Sequence, residues 1–219
     1  MVLLLAACAP QAFGHDVSSA DLARLDGQGG AQIPLFMYLG AKHMVTGYDH
    51  GLFLLGVMFL LRSARSVVLF ASLFALGHTV TLLSGVYWSW QVSPYLVDAV
   101  IGLSVAYKGY DNLGGWARRF GRVPDERLMV GLFGLVHGLG LATKLQDFPM
   151  ADDAVVPNLL AFNVGVELGQ LAALWVILLA LGWASYLGWR QALTRPVNVL
   201  LVLAGFLLCG YQLAGWLIA

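Results

Sequence analysis

Residues 157–187 read PNLLAFNVGVELGQLAALWVILLALGWASYL, a run in which Glu167 is the sole charged residue. A stretch this long and apolar exceeds the ~20 residues that a helix needs to cross the hydrocarbon core of a bilayer. It lacks the period-two alternation of a barrel strand, so it reads as a membrane helix. The rest of the chain follows suit. Of its 219 residues 59% are hydrophobic and 11% charged, against about 25% charged in a soluble domain, and the mean hydropathy is +0.78. The chain therefore predicts an all-α, polytopic membrane bundle of six transmembrane helices. Working outward from 157–187, the other spans fall at about 44–61 (with an apolar lead-in from Ile33), 66–88, 94–110, 127–145 and 196–218.

The balance of the chain excludes other classes. Lys plus Arg and Asp plus Glu both number 12, so there is no basic surface for nucleic acid. Two cysteines, Cys8 and Cys209, make neither a disulfide framework nor a thiolate-rich metal site. Residues 1–14 are apolar, too short to span, and end in the small-x-small pattern Ala12-Phe13-Gly14 of a cleaved export signal. Leu5-Ala6-Ala7-Cys8 also resembles a lipoprotein box. Cleavage after Gly14 would leave His15 beside a free amine, a potential chelate. Residues 15–32 read as an exposed N-terminal segment, polar and Gly-rich, and residues 33–219 as the membrane domain.

Loop charges orient the spans. Arg62, Arg65, Lys108, Arg118, Arg119, Arg122, Arg127, Arg190 and Arg195 fall on one side, and Arg24, Lys42 and Lys144 on the other. The positive-inside rule puts both termini outside the cytoplasmic (inner) membrane of a bacterial-type cell. The outer loop between the fourth and fifth spans carries Asp147, Asp152 and Asp153, charges that would concentrate cations.

Ionisable groups within spans are costly, so each is a functional hypothesis. His43, Asp49 and His50 open the first span, His78 and Thr81 lie in the second, Asp98 in the third and His137 in the fourth. Asn163, Glu167 and Gln170 form one stripe on the fifth. Given the alternating directions, all lie within roughly 5–18 Å of the outer boundary at 1.5 Å per residue. That layering predicts a single polar site in the outer half of the bundle. Nitrogen and oxygen donors without thiolate suit nickel, cobalt or zinc. A divalent ion would also compensate buried carboxylates, since no Lys or Arg is expected at that depth. The bland alternative is a His–carboxylate network that only fixes helix packing. The inner half shows few polar groups beyond Ser72, Ser104 and Gln170. Ser72 and Ser104 are expected to bond back to their own helices, Lys108 to snorkel to the inner interface, and Trp88, Trp90, Trp116 and Trp189 to sit in interfacial belts. Gly134-x-x-x-Gly138 and Gly165-x-x-x-Gly169 predict close helix approach.

The chain resembles the HupE/UreJ family of membrane proteins, in particular its second subfamily. The resemblance lies in Gly40-x-x-His43-x-x-x-Gly47-Tyr-Asp49-His50-x-x-Phe-Leu-Leu, His78-Thr-Val-Thr-Leu, Val97-Asp98-x-x-Ile-Gly-Leu-Ser104, Phe133-Gly-Leu-Val-His137-Gly-Leu-Gly and Phe162-Asn163-x-Gly-Val-Glu167-x-Gly-Gln170. It covers residues 40–170, and the ordered set is specific where each piece alone is weak. The resemblance implies a nickel or cobalt permease, with Asp49 and His50 matching a pair implicated in metal uptake and His15 a looser match to a histidine near the signal cleavage site. Asp98 stands where a glutamate is expected, and Ala75-Leu76-Gly77-His78-Thr79 replaces a more Thr/Ser-rich string. The expected ligands are thus His43, Asp49, His50, His78, His137, Glu167 and His15, supported by Asp98, Asn163, Gln170 and Thr81. The alternatives are an intramembrane zinc-dependent hydrolase using the same residues, with Glu167 or Asp98 as base, and an accessory membrane subunit.

Overall fold

The computed structural model describes residues 30–59, 64–146, 150–151 and 153–218. The signal-like residues, His15, most of the segment 15–32, Asp147 and Asp152 lie outside the described residues. The described chain forms α1 (Ile33–Thr46), α2 (Tyr48–Met58), α3 (Ala64–Tyr87), α4 (Pro94–Asn112), α5 (Gly115–Phe120), α6 (Glu126–Leu145), α7 (Val155–Tyr186) and α8 (Arg190–Ile218), with no strand among the described residues.

Among the described residues three segments, Arg65–Tyr87, Val155–Tyr186 and Arg190–Ile218, are long and apolar enough to cross a membrane. The other expected spans depart from that standard for visible reasons. α4 carries Asp98, Lys108 and Asp111, and α6 opens on the charged pair Glu126 and Arg127. The expected first span is two helices, divided where Gly47 adopts the extended backbone φ −69°, ψ 106°. The exterior is that of a membrane protein. Leu76, Val176, Leu179, Leu200 and Leu207 are exposed while His50, His78, His137, Asn163 and Gln170 are buried, the reverse of a soluble surface.

Local chemistry explains most helix ends. Pro at the first turn starts α1 and α4, where its missing N–H is no loss. Asp125 caps α6, its carboxylate accepting from the backbone N of Arg127 at 2.8 Å and of Leu128 at 3.0 Å. α7 ends in a Schellman motif. Gly188, at φ +73°, donates to the Ser185 carbonyl and Trp189 to that of Ala184. α8 begins at Arg190, so Pro196, expected at the start of the last span, lies inside the helix.

The helices pair as α1 with α7, α3 with α6, and α4 with α8. Glycine backbones make these approaches, and the two small-x-x-x-small patterns act as expected. A Cβ on Gly134 would strike the Phe74 carbonyl, one on Gly138 the His78 carbonyl, and one on Gly165 the Met37 carbonyl. On the α4–α8 seam a Cβ on Gly102 would stand 2.8 Å from the Cys209 nitrogen. α2 lies between these pairs, against α4 and α7.

Hydrogen bonds mark the two ends of the bundle. At one end Asn158 Oδ1 accepts from the Gln32 backbone at 2.7 Å, and Gln146 Nε2 donates to the Gly85 and Trp90 carbonyls. At the other, Asn112 donates to the Gly56 carbonyl at 2.8 Å and to Asn198 Oδ1 at 2.6 Å. The second end corrects two expectations. Lys108 does not snorkel outward; it is 3% exposed and pairs with both Asp111 and Glu126 at 3.1 Å. The half of the bundle expected to hold few polar groups therefore contains an ionic and amide cluster. Trp88, Trp90 and Trp189 are exposed, as belt residues are. Trp116 is instead half-buried among Tyr107, Tyr110 and Phe120.

Candidate functional site

The site forms where α1 gives way to α2. Gly47 N–H donates to the His43 carbonyl at 3.0 Å and closes α1. α2 then begins, with Asp49 in its first turn, where the helix dipole favours an anion. Asp49 Oδ1 accepts from the backbone N of His50 at 2.9 Å and lies 3.0 Å from its Nδ1. A carboxylate can only accept, so Nδ1 carries a proton and donates.

Two further histidines are set the same way. His137 Nδ1 is 2.7 Å from the Phe133 carbonyl, an obligate acceptor. Its Nε2 is buried with no hydrogen-bond partner among the described residues. His78 Nδ1 is 2.8 Å from Asn163 Oδ1, and Asn163 spends its Nδ2 on the Leu159 carbonyl at 2.9 Å. That fixes the amide with its oxygen toward His78. Three helices thus each hold an imidazole by a donating Nδ1–H, which makes Nε2 the nitrogen that a metal would take up.

His43, His50, Asp98 and His137 line one cavity, with room for about one water-sized particle. The His43 and His50 rings stand 5.0 Å apart at 73°, and His50 and His137 4.9 Å apart at 67°. These are edge-to-face contacts. Among the described residues no group of three or more His, Cys, Asp or Glu side chains is arranged to hold a metal ion. The rings border one space.

The whole of this arrangement lies within residues 19–219, which match the family model described as HupE / UreJ protein. The chain belongs to the HupE/UreJ family. No curated protein and no solved structure matches it. Because this HupE/UreJ match spans all the described helices, it covers α8 as well as the motifs of residues 40–170.

The remaining candidate residues are distributed unevenly. Asp98, expected to play a supporting part, lines the cavity. His78 is separated from it by Phe74, whose ring stacks 6.4 Å from His78 and lies 4.9 Å from His137. Glu167 is half-buried between α3 and α7, where it accepts from Ser72 at 3.1 Å. Ser72 therefore does not bond back to its own helix, as Ser104 does to Ile101 at 2.7 Å; a carboxylate one helix away is the better acceptor. Thr81 pins α3 to α6 by donating to the Leu135 carbonyl at 2.7 Å. Gln170 lines a separate, mainly apolar cavity with Phe53, Phe70, Val130 and Leu174, and its Oε1 is buried without a hydrogen-bond partner among the described residues. Lys42 is within α1, next to His43 in the chain, with Nζ 6.0 Å from the Tyr38 ring centre. It lies within a helix and not in a loop.

Sequence reasoning missed Gln212, Asn158 and the Lys108 cluster. The signal for Gln212 was available: it interrupts an otherwise apolar run in the last span. Asn112 and Asn198 gave no such signal, because asparagines near helix ends are ordinary.

Proposed function

We propose that the protein is a permease for a divalent transition-metal ion, nickel or cobalt, in the cytoplasmic (inner) membrane. It crosses the bilayer six times with both termini outside. α1 and α2 together make the first crossing, followed by α3, α4, α6, α7 and α8. The observation that carries this reading is the common tautomer of His50, His78 and His137. Each has Nδ1–H held by an oxygen, so Nε2 is the nitrogen that each would turn to a borderline-soft cation. Membership of a family associated with nickel and cobalt transport supports the substrate class. The break at Gly47 adds to it, because transporters bind their cargo where a membrane helix is interrupted.

The ion would first meet His43, His50, His137 and Asp98 around their cavity. Asp49 orients His50 and adds negative charge. His15 and the acidic loop residues collect the ion outside. His78 and Glu167 then take it onward, with Asn163, Gln170 and Thr81 supporting them. A permease needs ligands that converge only transiently, since a closed, fully satisfied cage would trap its cargo. Small rotations at the interrupted helix would bring the edge-to-face rings into convergence.

The test is accumulation of radioactive nickel and cobalt in cells expressing the chain. Expression should raise uptake, and His50→Ala at equal membrane abundance should abolish the increase. Uptake that is unchanged by expression would overturn the reading.

A further inference from the structure

A second cavity adjoins the histidine cavity and shares Asp98 with it. Its wall is made by Tyr48 and Asp49 of α2, Asp98 and Gly102 of α4, and Leu208 and Gln212 of α8. The polar side chains here are carboxylates, a phenol and an amide, with no nitrogen base among them. Gln212 is 4% exposed, and its Oε1 is buried without a hydrogen-bond partner among the described residues. A buried acceptor with no donor is destabilising and calls for an explanation. Asp49 and Asp98 bring carboxylate oxygens to the same wall, and Tyr48 a phenol. Several oxygen acceptors around one space are complementary to a cation.

We propose that this second cavity is a binding site for a hard cation, of the sodium or calcium class, held by Asp49, Asp98 and the Gln212 carbonyl oxygen. Oxygen-only donors select hard ions, whereas the imidazoles next door select transition metals. The space admits about one water-sized particle, which suits a largely dehydrated sodium or calcium ion. Magnesium, which sheds its waters reluctantly, fits poorly. The close approach of Gly102 to the α8 backbone keeps this wall narrow. The two sites meet at Asp98, which lines both cavities. An ion in one cavity therefore changes the charge felt in the other. That coupling rests on the permease reading above; the hard-cation site itself does not.

The experiment uses the purified full chain in detergent, with thermal unfolding followed at constant ionic strength in sodium, calcium, magnesium or choline chloride. Sodium or calcium at about tenfold over its dissociation constant should raise the midpoint by about 3–5 °C relative to choline. Gln212→Leu should lose that rise, and Gln212→Glu should keep it and shift preference toward calcium. A wild-type midpoint equal in all four salts would overturn the proposal. So would a Gln212→Leu protein that keeps the full response. If Gln212→Leu fails to fold, the wild-type salt series and Gln212→Glu still decide. In a second arm, saturating the hard-cation site should change the dissociation constant for nickel by about threefold or more. Failure of nickel to bind at all would overturn the permease reading alone, because the midpoint shift is read without a transition metal.

Discussion

Asp49 Oδ1 stands 3.0 Å from Nδ1 of His50 and 2.9 Å from the same residue's backbone nitrogen. One carboxylate oxygen thus holds both the ring and the first turn of α2. Its partner is 2% exposed, so the ring has little freedom except what Asp49 permits. Replacing the carboxylate by an amide keeps the shape but admits the wrong tautomer, because an amide can also donate. Asp49→Asn should therefore weaken nickel or cobalt binding by about 10–100-fold. Isothermal titration of the purified protein checks this, with helical content by circular dichroism unchanged.

Glu167 and the cavity histidines should separate in kinetics. Glu167 is bonded to Ser72 between α3 and α7 and does not line the histidine cavity. Glu167→Gln should leave equilibrium binding within about threefold while lowering uptake by about tenfold or more, the pattern of a group met after the binding step. His137→Ala should lose both, since His137 forms the wall of the cavity itself. Parallel binding and uptake measurements on the two variants distinguish the roles. Equal losses of affinity would place Glu167 in the first ligand set instead.

How far the chain could be read follows from what a helix pattern encodes. Depth is legible, because rise per residue is fixed. The shared level of His50, Asp98 and His137 follows from that, whereas their lining of one cavity is seen only in the structure. The azimuth of a helix within a bundle is not legible. Asn163, Glu167 and Gln170 lie on one stripe, yet they reach His78, Ser72 and an apolar cavity respectively. The interruption at Gly47 was hidden for another reason. Gly47 sits in the polar stretch from His43 to His50, which reads as the opening of a span, and a glycine inside a membrane helix is common. The Lys108 cluster was misjudged because a lysine near a helix end is expected to reach for water. Here two carboxylates from α4 and α6 reach it first.

The α3–α6 seam should be intolerant of added volume. A Cβ on Gly138 would meet both the Thr81 hydroxyl and the His78 carbonyl, and one on Gly134 the Phe74 carbonyl. Those obstacles are mostly backbone, which cannot swing aside as a long side chain can. Gly138→Ala should destabilise the protein by about 1–3 kcal/mol. It should also displace His78, whose ring is carried by the backbone being pushed. Gly131→Ala, on the same helix with open space around its Cβ position, should be nearly neutral. Thermal midpoints of the two variants in detergent give the comparison.

Lys108 is the most consequential charge at the opposite end of the bundle. Its ammonium lies 3.1 Å from Asp111 and 3.1 Å from Glu126, and the Lys108 and Asp111 side chains are 4% and 5% exposed. Lys108→Met would leave a buried carboxylate without its cation, a loss of about 3–5 kcal/mol when one partner of a buried pair is removed. The Glu126 contact should contribute less, because that side chain is 31% exposed and water can replace its partner. Adding Asp111→Asn to Lys108→Met should therefore recover much of the stability, whereas adding Glu126→Gln should recover little. Denaturation of the single and double variants measures the coupling directly. If the network also ties α4 to α6 as a closed inner gate, the Lys108→Met, Asp111→Asn protein should fold yet transport faster than wild type. A double variant that is stable and transports at the wild-type rate would make the cluster a structural clasp only.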